Sequence, residues 1–419
     1  MHAQIIIIGG GPGGYETAVN AAKRGMEVVL ISEGPLGGTC LNEGCIPTKT
    51  LQHLAAEGGL SLNAMQEKKA EVVNTLRGGI DILMKNKLIT FVQGRAILKD
   101  NHTVEADGQE FTAKKIIIAT GSVAASLPIE GADDPRVITS KELLELEEVP
   151  HELCIIGGGV IGLEFACIFN RLGSHVVVLE YCKQLLPRFD TDLAKRLKQS
   201  LSRSGIEIKT GYEVTNLNDI EADKILMAVG RRPNLESLNL DTLGIEYTKR
   251  GIVVDGNMQT SVPDIYAIGD IAGGMMLAHV ATYQGIRALN HIEGKTDKIR
   301  FDLVPAAVFT TPEVAVVGLT EEQCKEQGLQ FRSLKSFYRA NGKAVSMGET
   351  DGYCKLLVDC SGTSTDGQIL GCHIMGADAS IIIHEPTALM NLGATLSDLQ
   401  QIIHAHPTLS EIIQSAANS

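Results

Sequence analysis

The sequence predicts an α/β protein of several domains, and three observations support that prediction. A strand, a glycine-rich turn, a helix and a second strand follow one another at the N-terminus, and the same order returns from Leu153. From about Phe301 the chain changes to strand-like runs mixed with helices, without a third glycine turn. At 419 residues the chain exceeds one hydrophobic core, so roughly two to four domains are expected.

The first glycine turn has the form that binds a dinucleotide. An apolar run at residues 4–8 leads into the glycines, and a helix and a second strand follow. In this setting Gly9 makes the turn, Gly11 lets the backbone approach a pyrophosphate, and Gly14 allows close helix packing. Glu33, just after the second strand, is predicted to meet a ribose hydroxyl. The run predicts a Rossmann-like unit rather than a glycine turn without function.

Two cysteines follow this unit at a spacing of five residues. Five residues along a regular helix separate Cα atoms by about 8 to 9 Å, whereas a disulfide needs roughly 4.4 to 6.8 Å. A Cys40–Cys45 bond therefore requires a distorted or newly started helix, which Gly44 and the Ile46-Pro47 pair favour. Such a strained, accessible disulfide is easily reduced, which suits catalysis. The alternative is two unpaired thiols, the commoner outcome for this spacing alone.

Three further strands end in small or polar residues. Lys115 to Ala119 leads into Thr120, Gly121 and Ser122, a sequence that lets a backbone come close to a ligand. A strand from Lys224 ends at Gly230. Asp270 follows the strand from Ile265 and could bond a sugar or ribityl hydroxyl, although a helix cap is the alternative.

The second glycine turn repeats the first. Gly157, Gly159 and Gly162 follow a buried strand, and Glu180 ends the next strand. No arginine stands beside Glu180, so a 2′-phosphate would be repelled and NAD is favoured over NADP. Two such units imply two nucleotide cofactors, and a bound flavin that hands electrons to a nicotinamide is the obvious use.

A histidine and an acid near the C-terminus are the candidate base. Pro407 holds His406 out of the helical region, and Glu411 lies just inside the next predicted helix. A site that reduces a disulfide with a dithiol needs a base. Taken alone, a histidine in this place is more often an ordinary surface residue.

Composition narrows the partners. The net charge of −13 argues against nucleic acid and anionic membranes. The N-terminus lacks a signal peptide, and no apolar run could span a bilayer, so a cytoplasmic protein is expected. The other cysteines are expected to be inert thiols, and no metal site is predicted.

With these residues assembled, the chain resembles the flavoprotein disulfide reductases nearly end to end, and most closely those that oxidise dihydrolipoamide. The resemblance rests on GGTCLNEGCIPTK, both glycine turns, ATGS, YAIGD, MLAH, RANGKA and HAHPTLSE. It implies FAD on residues 1–145, NAD on 146–250, a central segment at 251–300 that completes the FAD site, and an α+β dimerisation domain at 301–419. It also implies a homodimer in which His406 and Glu411 serve the disulfide of the partner subunit.

The resemblance further implies a role for each matching residue. Cys40 would exchange with substrate, Cys45 would lie against the flavin ring, and Lys49 and Glu164 would pair near its reactive nitrogen. The natural partner would be the lipoyl domain of a 2-oxoacid dehydrogenase complex or the glycine cleavage carrier protein. The other implied cofactor contacts are Glu33, Lys49, Thr120, Gly121, Ser122, Asp270, Ala278, His279 and Gly230.

Three departures from the family pattern leave alternatives open. The connector between Thr215 and Ala222 is short, Gln284 stands where an acid is frequent, and Glu43 where an apolar residue is common. Another FAD-dependent disulfide reductase is one alternative. Glutathione reductases usually carry basic residues for the 2′-phosphate, which are absent beside Glu180. Mercuric reductases end in an extra cysteine pair, which is absent after Glu411. A flavin-bearing binding protein with an impaired NAD site is the other.

Overall fold

The computed structural model describes residues 2–236 and 238–419. The strands are β1 (His2–Ile8), β2 (Val28–Ser32), β3 (Ile89–Gln93), β4 (Ala96–Leu98), β5 (Thr103–Ala106), β6 (Gln109–Ile118), β7 (Ser122–Ala124), β8 (Val137–Ile138), β9 (Glu152–Ile156), β10 (His175–Glu180), β11 (Glu207–Thr210), β12 (Lys224–Met227), β13 (Arg231–Pro233), β14 (Tyr247–Thr248), β15 (Gly251–Ile252), β16 (Ile265–Ala267), β17 (Ala306–Val308), β18 (Val314–Gly318), β19 (Phe331–Phe337), β20 (Tyr353–Asp359) and β21 (Ile369–Met375).

The helices are α1 (Pro12–Lys23), α2 (Gly38–Asn42), α3 (Cys45–Glu57), α4 (Leu62–Met84), α5 (Ser140–Leu143), α6 (Val160–Arg171), α7 (Thr191–Arg203), α8 (Leu240–Leu243), α9 (Ala278–Ile292), α10 (Glu321–Glu326), α11 (Gly342–Met347), α12 (Ala379–Ile382), α13 (His384–Asn391), α14 (Leu396–Gln400) and α15 (Glu411–Ala417). Short 3-10 helices cover Gly269–Ala272 and Tyr338–Ala340.

The chain folds as two compact units. The first contains the chain up to Ser126, Thr139–Glu148 and Gly230–Ile299. The second contains Leu127–Ile138, Val149–Val229 and Arg300–Ser419. Relative to the predicted boundaries, residues 127–138 lie in the second unit, and residues 146–148 and 230–250 lie in the first.

The first unit is built on a mixed sheet of order β3-β2-β1-β6-β5-β4, with β16 also paired to β6. The strands β3, β2, β1, β6 and β16 run parallel, as expected where helices cross over between strands. Because β16 pairs with β6, the predicted central segment at 251–300 adds one strand to the first sheet. Helix α1 begins at Pro12, where a proline costs no helical hydrogen bond.

The second unit contains the second parallel sheet, of order β11-β10-β9-β12-β8. The connector that the sequence marks as short runs irregularly from β11 to β12. It nevertheless covers the sheet, since the fully buried Leu217 packs with Cys154, Ile156 and Ile225 in one apolar cluster. The shortened connector therefore supplies a core side chain in its own right.

The third sheet, also in the second unit, is antiparallel with the order β17-β18-β21-β20-β19. Helices α12 to α15 contribute buried residues to its core. The predicted α+β C-terminal domain is confirmed.

A buried ion pair joins the second sheet's helix α7 to the third sheet. Asp190 caps α7 by accepting from the N–H groups of Asp192 (3.2 Å) and Leu193 (3.4 Å). The same carboxylate accepts from Lys355 Nζ on β20 at 2.5 Å, and both side chains are 0 % exposed. Lys355 Nζ also lies 3.3 Å from Glu321 Oε2. Breaking such a pair by removing one partner leaves a buried charge uncompensated.

We expect Lys355→Met to lower the free energy of unfolding of the second unit by about 3–5 kcal/mol, because Asp190 would stay buried without its cation. Adding Asp190→Asn should recover part of this loss, since an amide oxygen can still cap α7. The control is Lys335→Met, whose partly exposed pair with Asp192 at 2.8 Å should contribute less than about 1 kcal/mol. Guanidinium unfolding measures all three, and equal losses for Lys335→Met and Lys355→Met would contradict the account.

Candidate functional site

The two cysteines of the redox loop lie on separate helices. Helix α2 ends at Asn42 and α3 begins at Cys45, so the helix is interrupted at Glu43 and Gly44. The predicted distortion is therefore present, but the Ile46-Pro47 pair is not its cause: both residues lie in the first turn of α3, where proline is tolerated. A Cβ atom on Gly44 would lie 2.9 Å from the Thr39 carbonyl oxygen, so the interruption requires glycine there.

The interruption brings the two side chains together. Both cysteines are thiols in this structure, and the Cys40 and Cys45 side chains are hydrogen bonded to each other. That hydrogen bond, together with burial, raises the pKa of Cys40 well above its ordinary value, while the nearby charge of Lys49 opposes the rise. The two thiols therefore lie in contact across the interruption.

Asn42, between the two cysteines, holds the loop in shape. Its amide donates to the carbonyl oxygens of Leu36 (3.0 Å) and Gly38 (2.9 Å). Its side-chain oxygen accepts from Arg77 on α4, at 2.5 Å from Nη2 and 3.1 Å from Nε. The contact between Asn42 and Arg77 is not predicted from the sequence, since nothing local to residue 77 indicates that it reaches the cysteine loop.

Glu43, the unusual acid of this loop, forms an ion pair with Lys141. The Lys141 Nζ and Glu43 Oε1 atoms are 2.6 Å apart, with the side chains 59 % and 39 % exposed. An ion pair this exposed stabilises the fold by only about 0–1 kcal/mol. Its consequence is to place paired charges beside the cysteines.

The first glycine turn has the close approaches that its predicted role requires. A Cβ atom on Gly9 would lie 2.2 Å from the Ala119 oxygen, and one on Gly14 only 1.8 Å from the Gly9 oxygen. A Cβ atom on Gly11, by contrast, would face open space, with the Gly38 Cα atom at 3.9 Å as its neighbour. The backbone beside Gly11 is therefore accessible at the start of α1, which fits a pyrophosphate.

The strand-end residues of the first unit converge by hydrogen bonding. Ser122 Oγ donates to Asp270 Oδ2 at 2.5 Å and accepts from Arg231 Nε at 2.7 Å. Thr120 Oγ1 donates to the Asn234 oxygen at 3.2 Å, and the Asn234 N–H donates to the Gly121 oxygen at 2.9 Å. Ser122, Asp270 and the Thr120–Gly121 turn, predicted separately, thus form one cluster.

Arg231 is a functional candidate that the sequence analysis left unassigned. Burial lowers the pKa of its guanidinium, and the negative charges of Asp270, Glu43 and Cys45 oppose that change. The guanidinium is therefore a partly buried cation whose charge interacts with Asp270, Glu43 and Cys45. The sequence shows Arg231 directly after Gly230, but it does not indicate which residues the Arg231 side chain contacts.

Ala278 and His279 form the first turn of α9. This helix packs tightly on α1, as a Cβ atom on Gly285 would lie 1.8 Å from Thr17 Oγ1. Gln284, where an acid is frequent in the family, accepts from the Gly269 N–H at 2.6 Å. The substitution therefore supports the turn that carries Asp270.

The second glycine turn repeats the geometry of the first. A Cβ atom on Gly157 would lie 2.4 Å from the Ala228 oxygen, and one on Gly162 would lie 2.1 Å from the Gly157 oxygen. Gly159 would meet no atom within 4 Å. Gly230, at a φ of 113°, is likewise open.

The acids that follow the second strand of each unit do not have equivalent positions, and the ribose contact of Glu33 stays a prediction. Glu180 is 7 % exposed, and its carboxylate accepts from the N–H groups of Gly158 (2.5 Å) and Cys182 (2.6 Å). Strand pairing matches Ile8 with Ile31 and Ile156 with Leu179, so Ser32 occupies the place of Glu180. Glu33 lies one residue further and is exposed.

His406 and Glu411 form the predicted pair. His406 Nδ1 lies 3.0 Å from Glu411 Oε1, and Glu411 Oε2 accepts from the Thr408 N–H at 2.8 Å. These two contacts lower the pKa of Glu411, so the carboxylate stays charged as the pH falls. The His406 side chain is 77 % exposed. Asn341, in the RANGKA run, steadies this loop by donating to the Thr408 oxygen at 3.0 Å.

His404 and Glu164 have structural contacts. His404 Nε2 lies 2.9 Å from Glu385 Oε1 with its side chain 5 % exposed, in keeping with its being left out of the predicted site. Glu164 is 4 % exposed, and its Oε1 accepts from the Phe309 N–H at 3.0 Å. Its pairing with Lys49 stays a prediction.

Comparison with known proteins identifies the family. Residues 3–285 match the family described as pyridine nucleotide-disulphide oxidoreductase, and residues 304–417 match its dimerisation domain. The chain belongs to this family of oxidoreductases. Membership implies a flavin and a pyridine nucleotide as cofactors, and the dimerisation domain indicates a homodimer.

The similar proteins include two dihydrolipoyl dehydrogenases and a flavoprotein disulfide reductase. A dihydrolipoyl dehydrogenase of Chlamydia muridarum is 39 % identical, over 98 % of this chain and 95 % of its own. One from Staphylococcus aureus is 38 % identical, over 100 % and 96 %. The solved structure of RclA, an HOCl-induced flavoprotein disulfide reductase from Escherichia coli in complex with Cu(II), has a TM-score of 0.92 at 33 % identity, over 100 % and 99 %.

Residues 2–236 and 238–419 contain no candidate metal site and no candidate membrane-spanning helix. No three or more His, Cys, Asp or Glu side chains there are grouped to hold a metal ion. No helix in these ranges is both long enough and apolar enough to cross a membrane.

We expect Gly44→Ala to slow formation of the Cys40–Cys45 disulfide by about 10–100-fold, because the new methyl group would force the loop away from Thr39 and misplace the thiols. The measurement is the rate at which both thiols disappear from titration under a mild oxidant. Gly34→Ala is the matched control, since a Cβ atom there meets nothing within 4 Å. A wild-type rate in Gly44→Ala would show that the interruption is not needed.

Proposed function

We propose that this protein is a dihydrolipoyl dehydrogenase, which oxidises dihydrolipoamide to lipoamide and reduces NAD⁺ through FAD and a Cys40–Cys45 disulfide. The observation that carries the proposal is the contact of the two thiols across the α2–α3 interruption, beside the first glycine turn. The names of the similar proteins supply the substrate. NAD rather than NADP follows from Glu180, whose charge would repel a 2′-phosphate.

The proposed cofactor sites follow the two glycine turns. FAD fits the first unit, where the backbone at Gly11 is accessible and Asp270, in the 3-10 helix after β16, accepts a hydrogen bond from Ser122. NAD fits the second, where Gly159 leaves the start of α6 open. When bound, the flavin and the nicotinamide supply the two-electron transfer from the reduced cysteines to NAD⁺.

The thiol chemistry is carried by the chain's own residues. His406, oriented by Glu411, takes the proton of one substrate thiol, because only the thiolate is nucleophilic. The thiolate attacks Cys40 Sγ, the Cys40–Cys45 bond breaks, and Cys45 leaves as a thiolate. The second substrate sulfur then attacks the substrate sulfur of the mixed disulfide while its proton passes to Cys40 Sγ, which releases lipoamide and leaves Cys40 as a thiol. Arg231 stabilises the charge left on Cys45.

The proposal includes a dimeric site and a protein partner. His406 and Glu411 would serve the disulfide of the partner subunit. The substrate would be presented by the lipoyl domain of a 2-oxoacid dehydrogenase complex or by the glycine cleavage carrier protein. Lys49 and Glu164 would pair near the flavin.

We expect the purified protein to be yellow and to reduce NAD⁺ with dihydrolipoamide, with NADP⁺ at least about 100-fold less effective, since Glu180 would repel its phosphate. Cys45→Ser should abolish turnover and the long-wavelength absorption of the reduced enzyme. Cys360→Ser, an exposed thiol outside the site, is the control. A yellow protein that ignores dihydrolipoamide but reduces another disulfide with NADH would point to a different reductase, such as the RclA type.

We expect inactive Cys45→Ser and His406→Gln chains to restore activity when they form mixed dimers. Only the mixed dimer can pair an intact disulfide with an intact His406 from the other subunit, so random mixing should give about a quarter of wild-type activity. Refolding the two variants together tests this, and refolding each alone is the control. Absence of activity in mixed dimers shown to have formed would place the base and the disulfide in one subunit.

A further inference from the structure

The two glycine turns make equivalent backbone hydrogen bonds to the strand that follows in each unit. Gly9 N–H donates to the Ile31 oxygen at 2.8 Å, and Gly157 N–H donates to the Leu179 oxygen at 2.8 Å. The residue after each acceptor therefore has the same place in the two units. That residue is Ser32 in the first unit and Glu180 in the second.

The surroundings of these two residues also match. A Cβ atom on Gly10 would meet Ser32 Oγ at 2.6 Å and Leu36 Cδ2 at 3.3 Å. A Cβ atom on Gly158 would meet Leu185 Cδ2 at 2.5 Å and Glu180 Cβ at 3.1 Å. Each turn thus packs against one leucine and one polar side chain. The space that accepts a glutamate in the second unit is occupied by a serine in the first.

The polar contacts differ in kind. The Glu180 carboxylate accepts from two backbone N–H groups, so its charge is fixed beside the glycine turn. The Ser32 hydroxyl instead donates to the Gly34 oxygen at 2.8 Å and brings no charge. In dinucleotide-binding units an acid at this place hydrogen bonds the ribose.

Glu33 is not placed to substitute for the missing acid. Strand β2 ends at Ser32, and Glu33 lies in the bend that follows it. Its backbone is fixed there, because Gln93 Nε2 donates to the Glu33 oxygen at 2.6 Å and the Gly94 N–H donates to the Ser32 oxygen at 2.9 Å. Its side chain is exposed.

We propose that the first unit holds the adenosine ribose of its flavin through the neutral Ser32 hydroxyl instead of a carboxylate, and therefore binds FAD more weakly than it would with an acid at this place. This inference rests on the proposed placement of FAD in the first unit. The glycine turn and Asp270 would supply the remaining affinity. Ser32 thus determines how firmly the adenosine half is held.

The test is the dissociation constant of FAD for the full-length apoprotein, measured by the change in flavin fluorescence. Ser32→Glu should tighten FAD binding about tenfold, since it adds a charged hydrogen-bond acceptor for the ribose. FMN, which lacks the adenosine half, should bind the two proteins equally. A similar gain with FMN, or no gain with FAD, would overturn the proposal.

Glu33→Gln is the discriminating variant, because it removes the carboxylate that directly follows β2. FAD binding should change less than about twofold. A tenfold loss would show that Glu33 reaches the ribose and would overturn the proposal, even if Ser32→Glu failed to fold. A wild-type protein that binds neither FAD nor FMN would instead contradict the proposed function, which keeps the two failures apart.

Discussion

The contact on which the site depends is between two glycine loops of the first unit. Gly37 donates its N–H to the Gly10 oxygen at 2.8 Å, and a Cβ atom on Gly38 would lie 2.6 Å from Gly11 Cα. The loop that begins the cysteine helix therefore rests directly on the loop that begins α1. Nucleotide binding and disulfide geometry share this backbone contact, so a side chain introduced into either loop would disturb both.

From that contact outward, the cysteine loop is fixed by residues distant in sequence. Asn42 links it to Arg77 on α4, and Arg231 approaches Cys45 from a strand that returns more than 180 residues later. The return is made by pairing of β13 with β7, in which Arg231 lies opposite Ala124. These positions surround the thiols with fixed polar groups before any substrate arrives.

What the sequence could predict was local. Glycine turns, buried strands and the His406–Glu411 spacing are properties of short segments, and the structure contains all of them. Pairings across long stretches left no local signal: β8 joins the second sheet with only Val137 and Ile138, and β16 joins the first. Glu33 is predicted from its distance along the chain from the glycine turn. The register of β2 against β1 instead gives Ser32 the position that Glu180 has in the second unit.

The buried pair of Lys355 and Asp190 bears on how this protein could have exchanged parts with its relatives. The acid caps a helix that packs beside the second sheet, the lysine lies in the third sheet, and both side chains are fully buried. A recombination event that replaced everything after Arg300 would therefore need to bring a cation that fits the resident acid. The second and third sheets are consequently expected to be inherited as one block, although the family's matched segments divide between residues 285 and 304.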